Sequence, residues 1–222
     1  MATRDLTGAV VAVVGATGGL GRAVTDVLTK RGATVVRVNR SGGNGADVAI
    51  DVRDSTSGQT VVDHCIAAHG RLDGVIVAAG IVAFGDLVDT DDVVIEELFL
   101  TNALGPMWLA KRVAPALRDS EGFFVNVSGV VADTPMPGMA AYSASKAAAA
   151  AAFDAIRREF RRTKVTVIDV RPPHTETGLA TRPLAGTAPT MREGLAPAVV
   201  AERIVAAIEA GEPVVTADLF GG

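Results

Sequence analysis

Apolar runs without alternation recur along this chain, separated by stretches whose apolar residues repeat every three to four positions. Runs of Val, Ile and Ala at Ala9–Val14, Thr34–Val38, Gly74–Ala78, Phe123–Val127 and Val165–Val170 predict buried strands. Shorter candidates lie at Asp47–Asp51 and Pro213–Thr216. Helices are predicted over Gly19–Arg31, Gly58–His69, Asp91–Phe99 continuing through Asn102–Leu117, Ala140–Arg162 and Pro197–Ala210. This alternation, with no linker, predicts one α/β domain over residues 1–222, a doubly wound parallel sheet with helices on both faces. Ligands of such sheets bind at the carboxyl ends of the strands, so chemistry is sought just after them.

The first strand-to-helix junction reads Val11-Ala-Val-Val-Gly15-Ala-Thr17-Gly18-Gly19-Leu20-Gly21-Arg22. Glycines at 15, 19 and 21 permit a sharp turn and let phosphates approach main-chain N–H groups with no Cβ between. The helix that follows adds partial positive charge at its start. The spacing G-x-x-x-G-x-G departs from the common G-x-G-x-x-G, and in a chain with 24 Gly a plain turn is the alternative. Its place at the first junction favours a dinucleotide pyrophosphate.

Composition narrows the partners. The 222 residues, 49% of them hydrophobic, suffice for one well-buried core. Net charge is −4 with no Lys/Arg cluster, which argues against nucleic acid. Cys65 is the only cysteine, so no intrachain disulfide is possible. The polar start and the lack of a bilayer-length apolar run predict a cytoplasmic protein with no membrane partner. No metal site is expected. His64 and His69 read as helix-surface residues, and Trp108 and the five Met as core.

Tyr142-Ser-Ala-Ser-Lys146 places Tyr and Lys at i and i+4 on one helix face. An ammonium beside a phenol is expected to lower its pKa from about 10 toward working pH. Tyr142 would then give a proton to a carbonyl oxygen or take one from an alcohol. An exposed pair on an amphipathic helix has the same spacing, but Tyr142 is the only Tyr and lies downstream of the nucleotide turn. The six-alanine run Ala147–Ala152 reflects either helix propensity or close approach of a second subunit.

Taken in order, these segments resemble the short-chain dehydrogenase/reductase family from Gly8 to about Gly211. The resemblance rests on Gly15, Gly19 and Gly21, Asp51-Val52, Ala78-Ala79-Gly80, Asn102-Ala-Leu-Gly105, Val125-Asn-Val-Ser128, Tyr142 with Lys146, and Arg171-Pro-Pro-His-Thr-Glu-Thr177. It implies a single-domain Rossmann-type fold and a nicotinamide cofactor. Asp51 and Val52 would meet the adenine, and Ala78, Ala79 and Gly80 the nicotinamide ribose. Lys146 would bond the ribose hydroxyls, Asn102 would hold a water relaying protons to Lys146, and Thr177 would meet the nicotinamide end. Thr17, Gly18 and Leu20 in the turn, with Pro172 and Thr175 after the sixth strand, complete the implied cofactor contacts. A small carbonyl or alcohol substrate and a homodimer or homotetramer are also implied.

The chain departs from that family in three places. The family's catalytic serine stands thirteen residues before the tyrosine; here that position is Gly129, with Ser128 one earlier. Ser128 is expected to substitute in part, which requires the chain to have left the strand, since neighbouring strand residues face opposite ways. Without that donor the chemistry slows about 10²–10³-fold. The family's Pro-Gly reads Pro172-Pro173-His174, and its Asn-Asn-Ala-Gly stretch begins Val77-Ala78.

The second strand ends Arg37-Val-Asn39-Arg40-Ser41, with no acidic residue for a ribose 2′-hydroxyl. Asn39 is neutral and Arg40 suits a 2′-phosphate, so NADP(H) is expected over NAD(H). Gly178–Ala196, rich in Pro, Gly and Ala, is expected to form a mobile lid with an apolar lining. The resulting expectation is an NADP(H)-dependent carbonyl reductase or alcohol dehydrogenase using Tyr142, Lys146, Asn102 and Ser128. The alternative, kept open by Gly129, is a catalytically weak or silent NADP(H)-binding sensor or partner protein.

Overall fold

The computed structural model describes residues 3–43 and 45–221. Its strands are β1 (Val10–Val14), β2 (Thr34–Asn39), β3 (Val48–Ala49), β4 (Gly74–Val77), β5 (Phe123–Val127), β6 (Thr166–Val170) and β7 (Val214–Val215). They form one sheet in the order β3-β2-β1-β4-β5-β6-β7, parallel throughout. Chain order reverses beside β1, where β4 returns to pair with it. Val14 is level with both Val38 and Val77, so the carboxyl ends of three strands meet at this switch point.

The apolar runs are unbroken because helices cover both faces. Val11, Val13, Val125 and Ile168 pack on α1 (Gly19–Lys30) and α6 (Pro197–Ala210) through Val24, Leu28, Ile204 and Ile208. Ala12, Val14, Phe124 and Val167 face the other way. They meet α2 (Ser57–His69), α4 (Gly105–Asp119) and α5 (Ala140–Phe160) through Val61, Leu109, Val113 and Phe153. The two weak strand candidates shrink to two residues each, Val48–Ala49 and Val214–Val215, at the sheet's edges.

Three expectations change. Between α3 (Asp92–Phe99) and α4 the helix widens into a π turn, Leu100–Leu104, which apolar periodicity does not signal. The continuous stretch Asp92–Asp119 is 28 residues, long and apolar enough to cross a bilayer; half of its most apolar window is buried inside this fold. Of the methionines read as core only Met139 is buried; Met107, Met136 and Met191 are exposed, Trp108 is half-buried, and Met1 lies outside the described residues.

Residues 178–196, the segment expected to act as a lid, make several contacts with the rest of the fold. Leu184 N–H donates to the Val82 carbonyl (2.7 Å) and Phe84 N–H to the Ala185 carbonyl (3.0 Å). Leu179, Ala180, Ala185 and Ala188 pack on a third apolar cluster holding Val82, Phe84, Val131, Met139 and Tyr142. At the base, Thr175 pairs with Leu195, and Glu176 accepts the Gly194 N–H at 2.8 Å. Backbone pairing and apolar contact therefore hold the segment down over Tyr142.

Phe124 on β5 stacks on Phe153 of α5 with centroids 5.2 Å apart, fixing the helix that carries Tyr142 and Lys146 to the sheet. Phe153→Ala is expected to cost about 3–5 kcal/mol of stability, measured by denaturant unfolding. A loss below about 1 kcal/mol would show that α5 is held elsewhere.

Candidate active site

The glycine turn leaves the end of β1 and opens α1, whose first turn is capped by no side chain. Its N–H groups are thus left for a ligand. The glycines themselves serve protein–protein contact inside the chain. A Cβ at Gly15 would stand 2.7 Å from Ala79 N, one at Gly19 2.6 Å from the Thr177 carbonyl oxygen, and one at Gly21 2.1 Å from the Gly15 carbonyl oxygen. Gly15 has φ +86° besides. Thr17, Gly18 and Gly19 line the half-exposed surface of the turn, while the Leu20 side chain belongs to the core.

Through Ala79 the turn reaches the Tyr/Lys helix. A Cβ at Gly80 would lie 3.2 Å from Asn102 Oδ1 and 3.4 Å from Lys146 Nζ. Asn102, buried in the π turn, accepts the Ile81 N–H (3.0 Å) and donates to the Ile81 carbonyl (2.9 Å) and to Ser145 Oγ (3.1 Å). Both ends of its amide are thus engaged with neighbours inside the protein. Ser145 Oγ in turn donates to the Tyr142 carbonyl at 2.7 Å, tying the π turn to α5.

Tyr142 and Lys146 are 9% and 7% exposed. Lys146 Nζ donates to the Val127 carbonyl at 2.9 Å. Burial pushes its pKa down to about 8, with Asp169 opposing the shift. Burial also pushes the Tyr142 phenol up to about 12. Burial thus moves the phenol upward, opposite to the lowering expected from Lys146, whose ammonium donates to Val127.

Ser128 requires a second correction. It is fully buried and its hydroxyl bonds Asp169, 2.8 Å from each carboxylate oxygen. Ser128 N–H still pairs with the Val170 carbonyl, so the chain has not left the sheet and the side chain faces inward. Asp169 also accepts from Asn126 Nδ2 (2.9 Å) and Arg171 Nε (2.8 Å), and Arg171 reaches Asp133 at 2.6 Å. This buried network was missed, although a carboxylate inside Thr166-Val-Ile-Asp169-Val170 is out of place in a strand covered on both faces.

At the adenine end, Asn39 is also corrected. Its side chain accepts the Gly42 N–H (2.8 Å) and donates to the Gly43 carbonyl (2.9 Å), closing the loop after β2 instead of facing a ribose. Arg40 is exposed with no hydrogen bond from its side chain among the described residues. Asp51 is held below the usual carboxylate range by Arg53, which also bonds Glu97 at 2.6 Å, with Arg40 adding a lesser pull. Val52 is buried beside Gly105.

After β6 the Pro172 carbonyl accepts the Val130 N–H (2.9 Å), Thr175 Oγ1 donates to Pro173 (2.9 Å), and the Thr177 backbone lies on Gly19. His174 pairs with Glu176 at 3.1 Å. A cavity of about 230 Å³ lies beside them, bounded by Ala180, Ala188, Met191 and Arg192 among others.

A family model described as short chain dehydrogenase matches residues 9–186. The chain is 29% identical, over 90% of its length and 70% of the relative's, to a Bos taurus protein named dehydrogenase/reductase SDR family member 7B. Among solved structures, a short chain dehydrogenase from Burkholderia cenocepacia in complex with NADP superposes with a TM-score of 0.83, 24% identity, and coverage of 96% of this chain and 90% of that one. A short chain dehydrogenase/reductase from Burkholderia phymatum in complex with NAD gives 0.85, 22%, 96% and 90%.

The downward shift of Lys146 means that the folded state disfavours its ammonium. That penalty, about 3 kcal/mol at about 1.4 kcal/mol per unit, is fully present below about pH 8 and fades as pH rises toward 10.5. Lys146→Met is expected to raise stability at pH 7 by roughly 2–3 kcal/mol, with the gain vanishing near pH 10. Unfolding curves at pH 7 and 10 check this; a destabilised variant at pH 7 would mean the ammonium is compensated.

Proposed function

The chain belongs to the short-chain dehydrogenase family of oxidoreductases, and from that premise we propose that it reduces a small carbonyl compound with NADPH. One observation carries the reading. Gly15 of the turn packs on Ala79, and the next residue, Gly80, packs on both Asn102 and Lys146, so the anion-binding turn and the Tyr/Lys helix share one floor.

The cradle fits a dinucleotide. Uncapped N–H groups of the first turn of α1 would take its pyrophosphate, with Thr17 and Gly18 beside them. Ala78, Ala79, Gly80 and Lys146 would hold the nicotinamide ribose, and Thr177 the far end. Asp51 and Val52 would border the adenine. Arg40, exposed and free of hydrogen bonds among the described residues, would pair with a 2′-phosphate, which supports NADP(H) over NAD(H). When bound, the reduced nicotinamide supplies the hydride for the carbonyl carbon.

Tyr142 supplies the proton. The phenol is protonated at neutral pH, the state an acid needs, and its burial raises the cost of the phenolate that donation leaves. The Lys146 ammonium opposes the charge that the phenol acquires as it gives up its proton. The apolar walls around Tyr142 select a small or hydrophobic substrate. The second reading, a silent NADP(H)-binding protein, draws support from Gly129 and from the sequestration of Ser128 on Asp169.

Tyr142→Phe is expected to cut NADPH-linked reduction by about 10²–10⁴-fold while NADPH affinity changes little. Retained turnover would reject Tyr142 as the acid, and no turnover by the unaltered chain across a broad carbonyl panel would favour the silent binder. Arg40→Glu should lower the ratio of NADPH to NADH affinity at least tenfold; an unchanged ratio would remove Arg40 from the cofactor site. Reduction should fall as pH rises through about 8, where Lys146 loses its proton. A rate that is flat to pH 10 would contradict that role.

A further inference from the structure

Among the described residues three charged side chains are buried: Asp73, Lys146 and Asp169. Asp73 stands just before β4, at the amino end of the sheet, where Arg71 and the Val10 N–H engage it. The other two share the carboxyl ends of β5 and β6. Lys146 donates to the Val127 carbonyl, and Asp169 stands level with Asn126, the residue before Val127.

Asp169 grips both neighbours of Val127. Its carboxylate accepts from Asn126 Nδ2 at 2.9 Å and from Ser128 Oγ at 2.8 Å. The carbonyl that holds Lys146 is thus fixed from both sides by one carboxylate. Asp169 also accepts from Arg171 Nε at 2.8 Å, and Arg171 reaches Asp133 at 2.6 Å and Asp154 at 3.7 Å. Other charges near α5 are turned away. On α3 and α4, which also pack on it, Asp92, Glu96, Lys111, Arg118 and Asp119 are exposed. Glu97 is taken by Arg53 and Arg112 by the Ser55 carbonyl. Tyr142 shares the helix with Lys146, whereas Arg157, Arg158 and Glu159 lie at its far end. The π turn and residues 130–132 carry no charge.

We infer that Asp169 is a positioning residue that acts through Lys146, fixing its carbonyl partner and supplying its buried counter-charge. Arg171 governs how much of that charge reaches the ammonium. The inference rests on the reductase reading and deepens it by naming what sets the working pH of the site. A buried ion persists only where bonds or an opposite charge replace its water. Lys146 has one such bond, so the carboxylate beneath α5 must supply the rest. Burial draws the Lys146 pKa down to about 8 and Asp169 opposes that fall, in keeping with this arrangement. Ser128 then has a role of its own, as one arm of the clamp on Val127.

Two substitutions should move the ammonium in opposite directions. Asp169→Asn removes the counter-charge with little change of shape, and the Lys146 titration should move down by about one pH unit. Arg171→Gln keeps a donor but removes the competing cation, and the titration should move up by about half a unit. The titration is followed in the unliganded full chain by NMR of isotope-labelled lysine, with the Lys146 signal assigned by its loss in Lys146→Met. The alkaline limb of NADPH-linked carbonyl reduction should shift in the same directions. A residue that merely braced the strand would lower the unfolding midpoint and leave both pH midpoints in place. Should Asp169→Asn fail to fold, Arg171→Gln decides alone. An unmoved Lys146 titration in a folded variant overturns the inference, and so does a moved titration with an unmoved rate limb. A titration that moves as expected, with no turnover by the unaltered chain across a broad carbonyl panel, overturns the reductase reading instead, and with it the place of Asp169 in a reaction.

Discussion

Burying the Lys146 ammonium at the carboxyl end of β5 is the constraint around which this site is organised. A charge taken from water must be repaid by bonds or by a counter-charge, or the group sheds its proton. Here the repayment is partial: one carbonyl, that of Val127, and the field of Asp169. The ammonium is left with donors in excess, beside Gly80, and in the proposed reaction these would meet ribose hydroxyls and the phenolate. A site that satisfied this lysine fully would be more stable and less useful.

Asp169 explains why the compensation stays partial. Its carboxylate already accepts from Ser128, Asn126 and Arg171, and Arg171 is shared with Asp133. Three of these side chains, Asn126, Ser128 and Asp169, lie on one sheet face by the two-residue period of β5 and β6 and their register. The network binds β5 to β6 beneath α5 and consumes the hydroxyl that a one-residue displacement of the catalytic serine would have needed. Gly129, in a glycine-only conformation, closes the other route.

The fold was legible because both faces of the sheet are covered, which writes each strand as an apolar run and each helix as a period between them. The glycine turn and the Tyr142–Lys146 spacing were legible for a similar reason: each is a local pattern whose geometry the backbone fixes. Less legible were the features set by contacts between distant segments. The π turn at Leu100–Leu104 and the docking of residues 178–196 on Val82 and Phe84 have no local signature. The glycines at 15, 19 and 21 read as room for a ligand, whereas the structure uses that room for Ala79, Thr177 and the turn's own backbone.

The sequence alone determined the strand order's raw material, the position of the glycine turn and the pairing of one phenol with one ammonium on a helix face, since these follow from spacing along the backbone. Only tertiary structure decided which of the polar residues face the reaction. Ser128 and Asn39 were turned to internal partners, Asn102 was spent on Ile81, and the Tyr142 phenol was raised instead of lowered. Burial and hydrogen-bond competition depend on what the rest of the chain brings alongside, and no local pattern records that.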